Sequence, residues 1–79
     1  MNVALSEIQA VLAETFQTPL ENIPAELAFG GLPQWDSMGH MGLMLALEER
    51  YGVEISAETI AELTSLAAIQ AYLKEKDHE

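Results

Sequence analysis

The chain has 79 residues, of which 49% are apolar, and its 13 acidic residues against three basic ones give a net charge of -10 at pH 7. We predict one small domain spanning residues 1–79, with no disulfide, thiolate metal site or cysteine nucleophile because cysteine is absent. So acidic a chain repels nucleic acid and is predicted to attract proteins with basic patches. With no apolar run near the ~20 residues of a membrane span and no signal peptide, we expect a cytoplasmic protein without a membrane span.

The first predicted helix runs from Asn2 to Phe16. Apolar residues recur there at spacings of three and four, which is typical of a helix with one face in the core. Asn2 or Ser6 can cap its start, and the spacing does not choose between them. Thr18-Pro19 ends it, since proline disfavours helix at the residue before it.

A long connection follows, from Pro19 to Trp35. Its apolar residues are spaced to anchor the loop on the core: Leu20, Ile23, Leu27 and Phe29. Residues 24–27 are predicted to form one helical turn that begins with a proline. Trp35 is the single tryptophan, and we expect it to pack at the junction of loop and helix rather than to contact a partner.

The second predicted helix spans Ser37 to Tyr51. Asp36 is placed to cap it, because its carboxylate can accept a hydrogen bond from a free amide of the first turn. Ser37 then occupies the first helical position, at the positive end of the helix dipole, where a phosphate group is stabilised. Gly52 is expected to end the helix as a left-handed glycine.

This second helix carries two apolar stripes where a surface helix usually has one. Two stripes indicate either burial on both sides or one stripe that faces the core and another that faces a partner. The first stripe comprises His40, Leu43, Met44, Leu47 and Tyr51. The second comprises Met38, Met41 and Leu45 and ends on Glu48.

The remaining chain predicts an extended return at residues 53–55 and two further helices. Ser56 is expected to cap a short third helix through Leu63. Thr64 or Ser65 caps a last helix through Lys76, whose buried face contains Leu66, Ile69, Tyr72 and Leu73. Residues 77–79 are polar and are predicted to fray.

Asp36-Ser37-Met38, together with the segment from Leu43 to Ile55 that follows it, resembles the acyl carrier proteins. The resemblance implies an all-α four-helix bundle with a long loop between the first two helices and a short third helix. It implies that Ser37 bears 4′-phosphopantetheine, donated from coenzyme A by a phosphopantetheinyl transferase. It also implies a partner-binding face made of Met38, Met41, Leu45, Glu48 and Glu49.

The resemblance predicts a non-catalytic monomer that carries acyl groups as thioesters and presents them to loading, elongating or transferring enzymes. The pathway would be fatty-acid, polyketide or related specialised biosynthesis. Gly39 and Gly42 stand where many fatty-acid carriers have acidic residues, which favours a dedicated carrier of a specialised pathway. The alternatives are an aminoacyl, D-alanyl or peptidyl carrier, and an unmodified acidic helical adaptor.

A hydrolase is an alternative hypothesis, because Ser37, His40 and Asp36 are close in sequence. A catalytic serine also needs an acid that orients the imidazole, an oxyanion hole and a substrate cleft. Asp36 is better placed as a helix cap, and so short a chain has little room for a cleft. We therefore expect no catalysis, and we expect His40 to be exposed on the helix surface near Ser37.

Overall fold

The computed structural model describes residues 2–76 and contains four α-helices within them. These are α1 Leu5–Thr15, α2 Ser37–Tyr51, α3 Ala57–Glu62 and α4 Leu66–Lys76. The long connection between α1 and α2 holds one 3-10 turn, Leu20–Asn22. The predicted all-α architecture, with its long loop and short third helix, is confirmed. None of the helices in residues 2–76 combines the length and apolar character needed to cross a membrane.

The core lies where α1 meets α2 and α4. Each of these helices contributes one apolar stripe, so that burial of the stripes removes most of the large aliphatic side chains from water. Trp35 is fully buried at the junction of the loop and α2, as expected. The other fully buried large side chains are Ile8, Leu12, Ile23, Leu43, Met44, Leu47, Val53, Leu63, Leu66, Ile69 and Leu73.

Both ends of α2 form as the sequence predicts. The Asp36 carboxylate accepts a hydrogen bond of 2.8 Å from the Gly39 amide, so one amide of the first turn is satisfied. At the other end Gly52 has a φ of +69°, and its amide donates to the Glu48 carbonyl at 2.9 Å. This left-handed conformation stops the helix and turns the chain back towards the core.

The structure also shows which residues cap α3 and α4. The Ser56 and Thr59 side chains each bond the other's backbone amide, which makes a capping box at α3. The Ser65 hydroxyl accepts a hydrogen bond of 3.1 Å from the Ala68 amide. Ser65 rather than Thr64 is therefore the cap of α4.

The predicted start of α1 is wrong by three residues. The helix begins at Leu5, its N-cap is Ala4, and Ala4 offers no side-chain hydrogen bond. The preceding chain is extended because Val3 is buried and its carbonyl accepts a hydrogen bond of 3.2 Å from the Gln70 side chain on α4. The last predicted segment, residues 77–79, lies outside the described residues.

The loop between α1 and α2 differs from the prediction in two respects. Its helical turn lies at Leu20–Asn22, whereas residues 24–27 form only a turn closed by one backbone hydrogen bond of 3.1 Å. Ile23 and Leu27 anchor the loop in the core, but Leu20 and Phe29 are exposed. Two of the four expected anchors are therefore in the core.

Backbone hydrogen bonds tie this loop to the junction of α3 and α4. The Phe29 amide donates to the Thr64 carbonyl at 2.8 Å, and the Leu66 amide donates to the Leu27 carbonyl at 3.3 Å. An isolated antiparallel bridge between Ala28 and Ser65 lies between them. The loop is thereby held beside the start of α2.

Candidate functional site

Ser37 is the first residue of α2, and its side chain is exposed. Asp36 caps the helix from the preceding position, so the serine hydroxyl itself is not required as the cap. The first turn of this 15-residue helix contains no acidic side chain. The free backbone amides and the helix dipole at this end of α2 favour an anion. A phosphate attached to Ser37 would lie beside them.

Gly39 lets the start of α2 pack directly on the loop. A Cβ atom at position 39 would overlap the carbonyl oxygen of Gln34, and it would lie 3.3 Å from the Phe16 ring. Gly42 differs, because a Cβ there would meet no atom within 4 Å. The close approach of α2 to the loop therefore requires glycine at position 39 but not at position 42.

A groove of about 440 Å³ opens next to Ser37. The loop, α2, α3 and the α3–α4 junction all contribute to its wall, which is mainly apolar. The lining residues are Phe29, Ser37, His40, Met41, Ile60 and Thr64. We call this cavity the Ser37 groove. The positive end of α2 and the apolar wall of the groove adjoin. The groove therefore suits a group that begins with a phosphate and continues with a carbon chain.

The expectation that His40 is exposed is wrong: only 4% of its surface remains accessible. Its Nδ1 accepts a hydrogen bond of 3.0 Å from the Trp35 indole, and its Nε2 lies 2.7 Å from the Ile60 carbonyl oxygen. Because a carbonyl only accepts, Nε2 carries the proton and the ring is neutral. The signal was present in the sequence, since His40 begins the apolar stripe that the core buries.

These contacts also bear on the hydrolase hypothesis. Both nitrogens of His40 are engaged by Trp35 and Ile60, and the Asp36 carboxylate is engaged by the Gly39 amide. Neither side chain is arranged to activate the Ser37 hydroxyl in the manner of a catalytic triad.

The second apolar stripe of α2 remains on the surface. Met38 is 85% exposed, Leu45 is 53% exposed, and Met41 is 39% exposed. Glu48 and Glu49 continue the stripe, and both are exposed. We call Met38, Met41, Leu45, Glu48 and Glu49 together the Met38 face. It begins one residue after Ser37 and combines exposed apolar side chains with two carboxylates.

A second groove, of about 400 Å³, lies between α1 and α2. It is lined by Glu14, Thr15, Ala46, Glu49 and Arg50 and contains the 2.8 Å ion pair between Arg50 and Glu14. It lies away from Ser37, and both partners of its ion pair are largely exposed. Of these two grooves, only the Ser37 groove has Ser37 in its wall.

Comparison with known proteins identifies the family of this chain. The family model described as the phosphopantetheine attachment site matches residues 6–73. An acyl carrier protein of Helicobacter pylori is 30% identical over 69 residues, which cover 87% of this chain and 88% of that protein. An acyl carrier protein of Thermosynechococcus vestitus is 28% identical over 72 residues, covering 91% of this chain and 89% of that protein. No solved structure gives a significant match. This chain therefore belongs to the acyl carrier protein family, whose cofactor is a covalently attached 4′-phosphopantetheine.

Proposed function

We propose that Ser37 is the attachment residue and that the chain carries acyl intermediates, as thioesters, between enzymes of fatty-acid, polyketide or related specialised biosynthesis. The observation that carries the proposal is the exposed hydroxyl at the start of α2, next to both an anion-stabilising helix end and an apolar groove. The 4′-phosphopantetheine arm supplies a terminal thiol that holds the acyl group.

The other serines are less suitable. The Ser56 and Ser65 hydroxyls are used as caps of α3 and α4. Ser6 is exposed, but it lies within α1 behind Leu5 rather than at the first helical position. Glu7 adds a negative charge to the first turn of α1, whereas the first turn of α2, which contains Ser37, has no acidic side chain.

The chain's part in the attachment reaction is to present a nucleophile. The Ser37 Oγ attacks the β-phosphorus of coenzyme A on a phosphopantetheinyl transferase, a new O–P bond forms, and adenosine 3′,5′-bisphosphate leaves with the proton passing to a base or water. Metal and cationic groups of the transferase stabilise the phosphoryl charge. Asp36 holds the first turn of α2 in place during the reaction.

The Met38 face is the proposed docking surface for the transferase and for the loading, elongating and transferring enzymes. Its methionine side chains are flexible and polarisable, so they can adapt to several partners. Its carboxylates, within a chain of net charge -10, favour partners with basic patches and speed their encounter. The proposal includes a single-domain, monomeric and cytoplasmic carrier that performs no catalysis.

The intact mass of the purified protein tests the attachment. After incubation with coenzyme A, Mg²⁺ and a broad-specificity phosphopantetheinyl transferase, we expect a gain of one phosphopantetheine. Ser37→Ala should show no gain, whereas Ser6→Ala, the matched exposed helical serine, should be modified normally. No gain in a correctly folded wild-type protein would overturn the proposal and favour the unmodified acidic adaptor. If attachment succeeds, the loaded cargo distinguishes acyl from aminoacyl, D-alanyl or peptidyl carriers.

A further inference from the structure

We propose that His40 closes the floor of the Ser37 groove, so that the first segment of the arm lies in the groove while the acyl cargo stays outside the core. His40 would then be the residue that keeps long acyl chains out of the core of this carrier. The inference rests on the proposed function, because it needs an arm attached to Ser37.

The His40 ring lies between the groove and the core. One side of it lines the groove, while its Nδ1 accepts from Trp35, which has no exposed surface. The ring stacks on the Trp35 ring with centroids 6.2 Å apart, and the Phe29 ring meets it edge-on at 5.6 Å. Two aromatic neighbours and two hydrogen bonds therefore hold the imidazole in one position.

The same ring joins α2 to α3. Its Nε2 donates to the carbonyl oxygen of Ile60, and the Ile60 side chain forms part of the groove wall. Separating the two helices at this point would break the bond to Ile60 and would leave the N–H of the buried His40 ring and a backbone carbonyl without partners. Buried polar groups without partners are costly, so the closed arrangement is strongly favoured over one that admits a chain.

The occupant of the groove follows from where the attachment point lies. Ser37 is itself a lining residue, so the part of the arm within reach is the segment that directly follows the phosphate. In 4′-phosphopantetheine that segment carries two methyl groups on one carbon, which suit the apolar wall formed by Phe29, Met41 and Ile60. The thiol and its cargo are at the far end of the arm, and a chain that entered the core from this groove towards Trp35 would have to displace the His40 ring.

The test uses the full chain loaded at Ser37 by a phosphopantetheinyl transferase from coenzyme A or from its acetyl, hexanoyl and dodecanoyl derivatives. Trp35 is the single tryptophan, so its indole N–H gives one NMR signal that reports directly on the His40 hydrogen bond. We expect attachment of the bare arm to shift the methyl signals of Met41 and Ile60. Lengthening the acyl group should then leave the indole signal unchanged. It should also give equal rates of thioester cleavage by hydroxylamine, once each rate is divided by that of the matching acyl-coenzyme A.

His40→Ala should open the floor. In that variant we expect the indole signal to move with acyl length and the dodecanoyl thioester to be cleaved several-fold more slowly than the acetyl thioester. His40→Phe fills the same space without the hydrogen bonds and should keep the cleavage rates equal. Leu20→Ala, a change at an exposed loop residue outside the groove, should also leave them equal. Circular dichroism and the dispersion of the amide spectrum establish that each variant is folded.

Two results would overturn the inference alone: protection that grows with acyl length in the wild type, or folded His40→Ala behaving like the wild type. Should His40→Ala not fold, length-dependent protection in the wild type and in His40→Phe still decides the question. Absence of any mass gain at Ser37 would instead overturn the proposed function and this inference with it.

Discussion

The Tyr51 hydroxyl donates a hydrogen bond of 2.6 Å to the Glu7 carboxylate, across 44 positions of the sequence. It joins the last residue of α2 to the first turn of α1. Tyr51 is nearly buried, whereas Glu7 is exposed, so the bond seals the edge of the core at the end of the molecule where α2 ends. Its strength depends on the Tyr51 proton.

Alkaline pH should weaken the fold through this tyrosine. Burial, followed by the hydrogen bond to and the charge of Glu7, raises the pKa of Tyr51 from 10.0 to about 12. A raised pKa means that its stabilising contribution is complete below pH 10 and is lost as the pH rises through 12. Urea unfolding between pH 7 and 12 measures this. Tyr51→Phe should cost about 1 kcal/mol at pH 7 and lose less stability in the alkaline range than the wild type.

Tyr72→Phe, on α4, is the control for that experiment. It should retain the alkaline loss that Tyr51 causes. Equal pH dependence in wild type and Tyr51→Phe would contradict the assignment of the loss to Tyr51.

The two glycines of α2 should respond oppositely to alanine. Gly42→Ala should stabilise the protein by about 1 kcal/mol, because the added methyl meets open space and alanine favours the helix. Gly39→Ala should destabilise it by about 1–3 kcal/mol, because the methyl would overlap the Gln34 carbonyl. Thermal unfolding of the pair measures both effects. Stabilisation by Gly39→Ala would mean that the loop does not pack against this point of α2.

Charge reversal on the Met38 face should weaken binding of the transferase without changing the rate of the chemical step. For Glu48→Lys and Glu49→Lys we expect the transferase KM to rise about fivefold per substitution, corresponding to roughly 1 kcal/mol, with kcat unchanged. The effect should diminish at high salt, since screening weakens exposed charge pairs. Glu75→Lys, an exposed residue on α4 with the same change of charge, should leave KM unaltered. Equal effects of all three variants would indicate a general charge effect rather than a defined face.

Salt should stabilise the fold, because a net charge of -10 on so small a domain repels itself. If screening contributes about 1 kcal/mol, the melting temperature should rise by about 4–8 °C between low and high NaCl. In residues 2–76 there is no cluster of three or more side chains that could hold a metal ion. An additional effect of Mg²⁺ at equal ionic strength would therefore arise at carboxylate pairs such as Glu48 and Glu49. A melting temperature indifferent to both salts would contradict the repulsion argument.

The helix ends that depend on residues close in sequence could be predicted. Asp36 and Gly52 mark both ends of α2 through local hydrogen bonding and a left-handed turn, and both were predictable. The start of α1 was not, because the extended conformation around Val3 depends on Gln70, which lies far away in the sequence. A tertiary contact of this kind overrides the preference of Asn2 or Ser6 to cap a helix.

His40 shows the same limit within the site. Its place on the apolar stripe of α2 indicated burial, but a histidine is buried only where both nitrogens find partners. Those partners are the Trp35 indole and the Ile60 carbonyl, and the second lies 20 residues away. The position of Ser37 could be read from its neighbours, whereas the floor of the groove beside it could not.

The hydrogen bonds between the loop and the α3–α4 junction have a consequence for the order of folding. They pair Leu27 and Phe29 with Leu66 and Thr64, and closing such long chain segments is slow relative to forming a helix. The helix that bears Ser37 can begin to form early, from its own cap and apolar stripe. The surroundings of the serine are completed only when the α3–α4 junction docks, so we expect an enzyme that modifies Ser37 to recognise a chain that has finished folding.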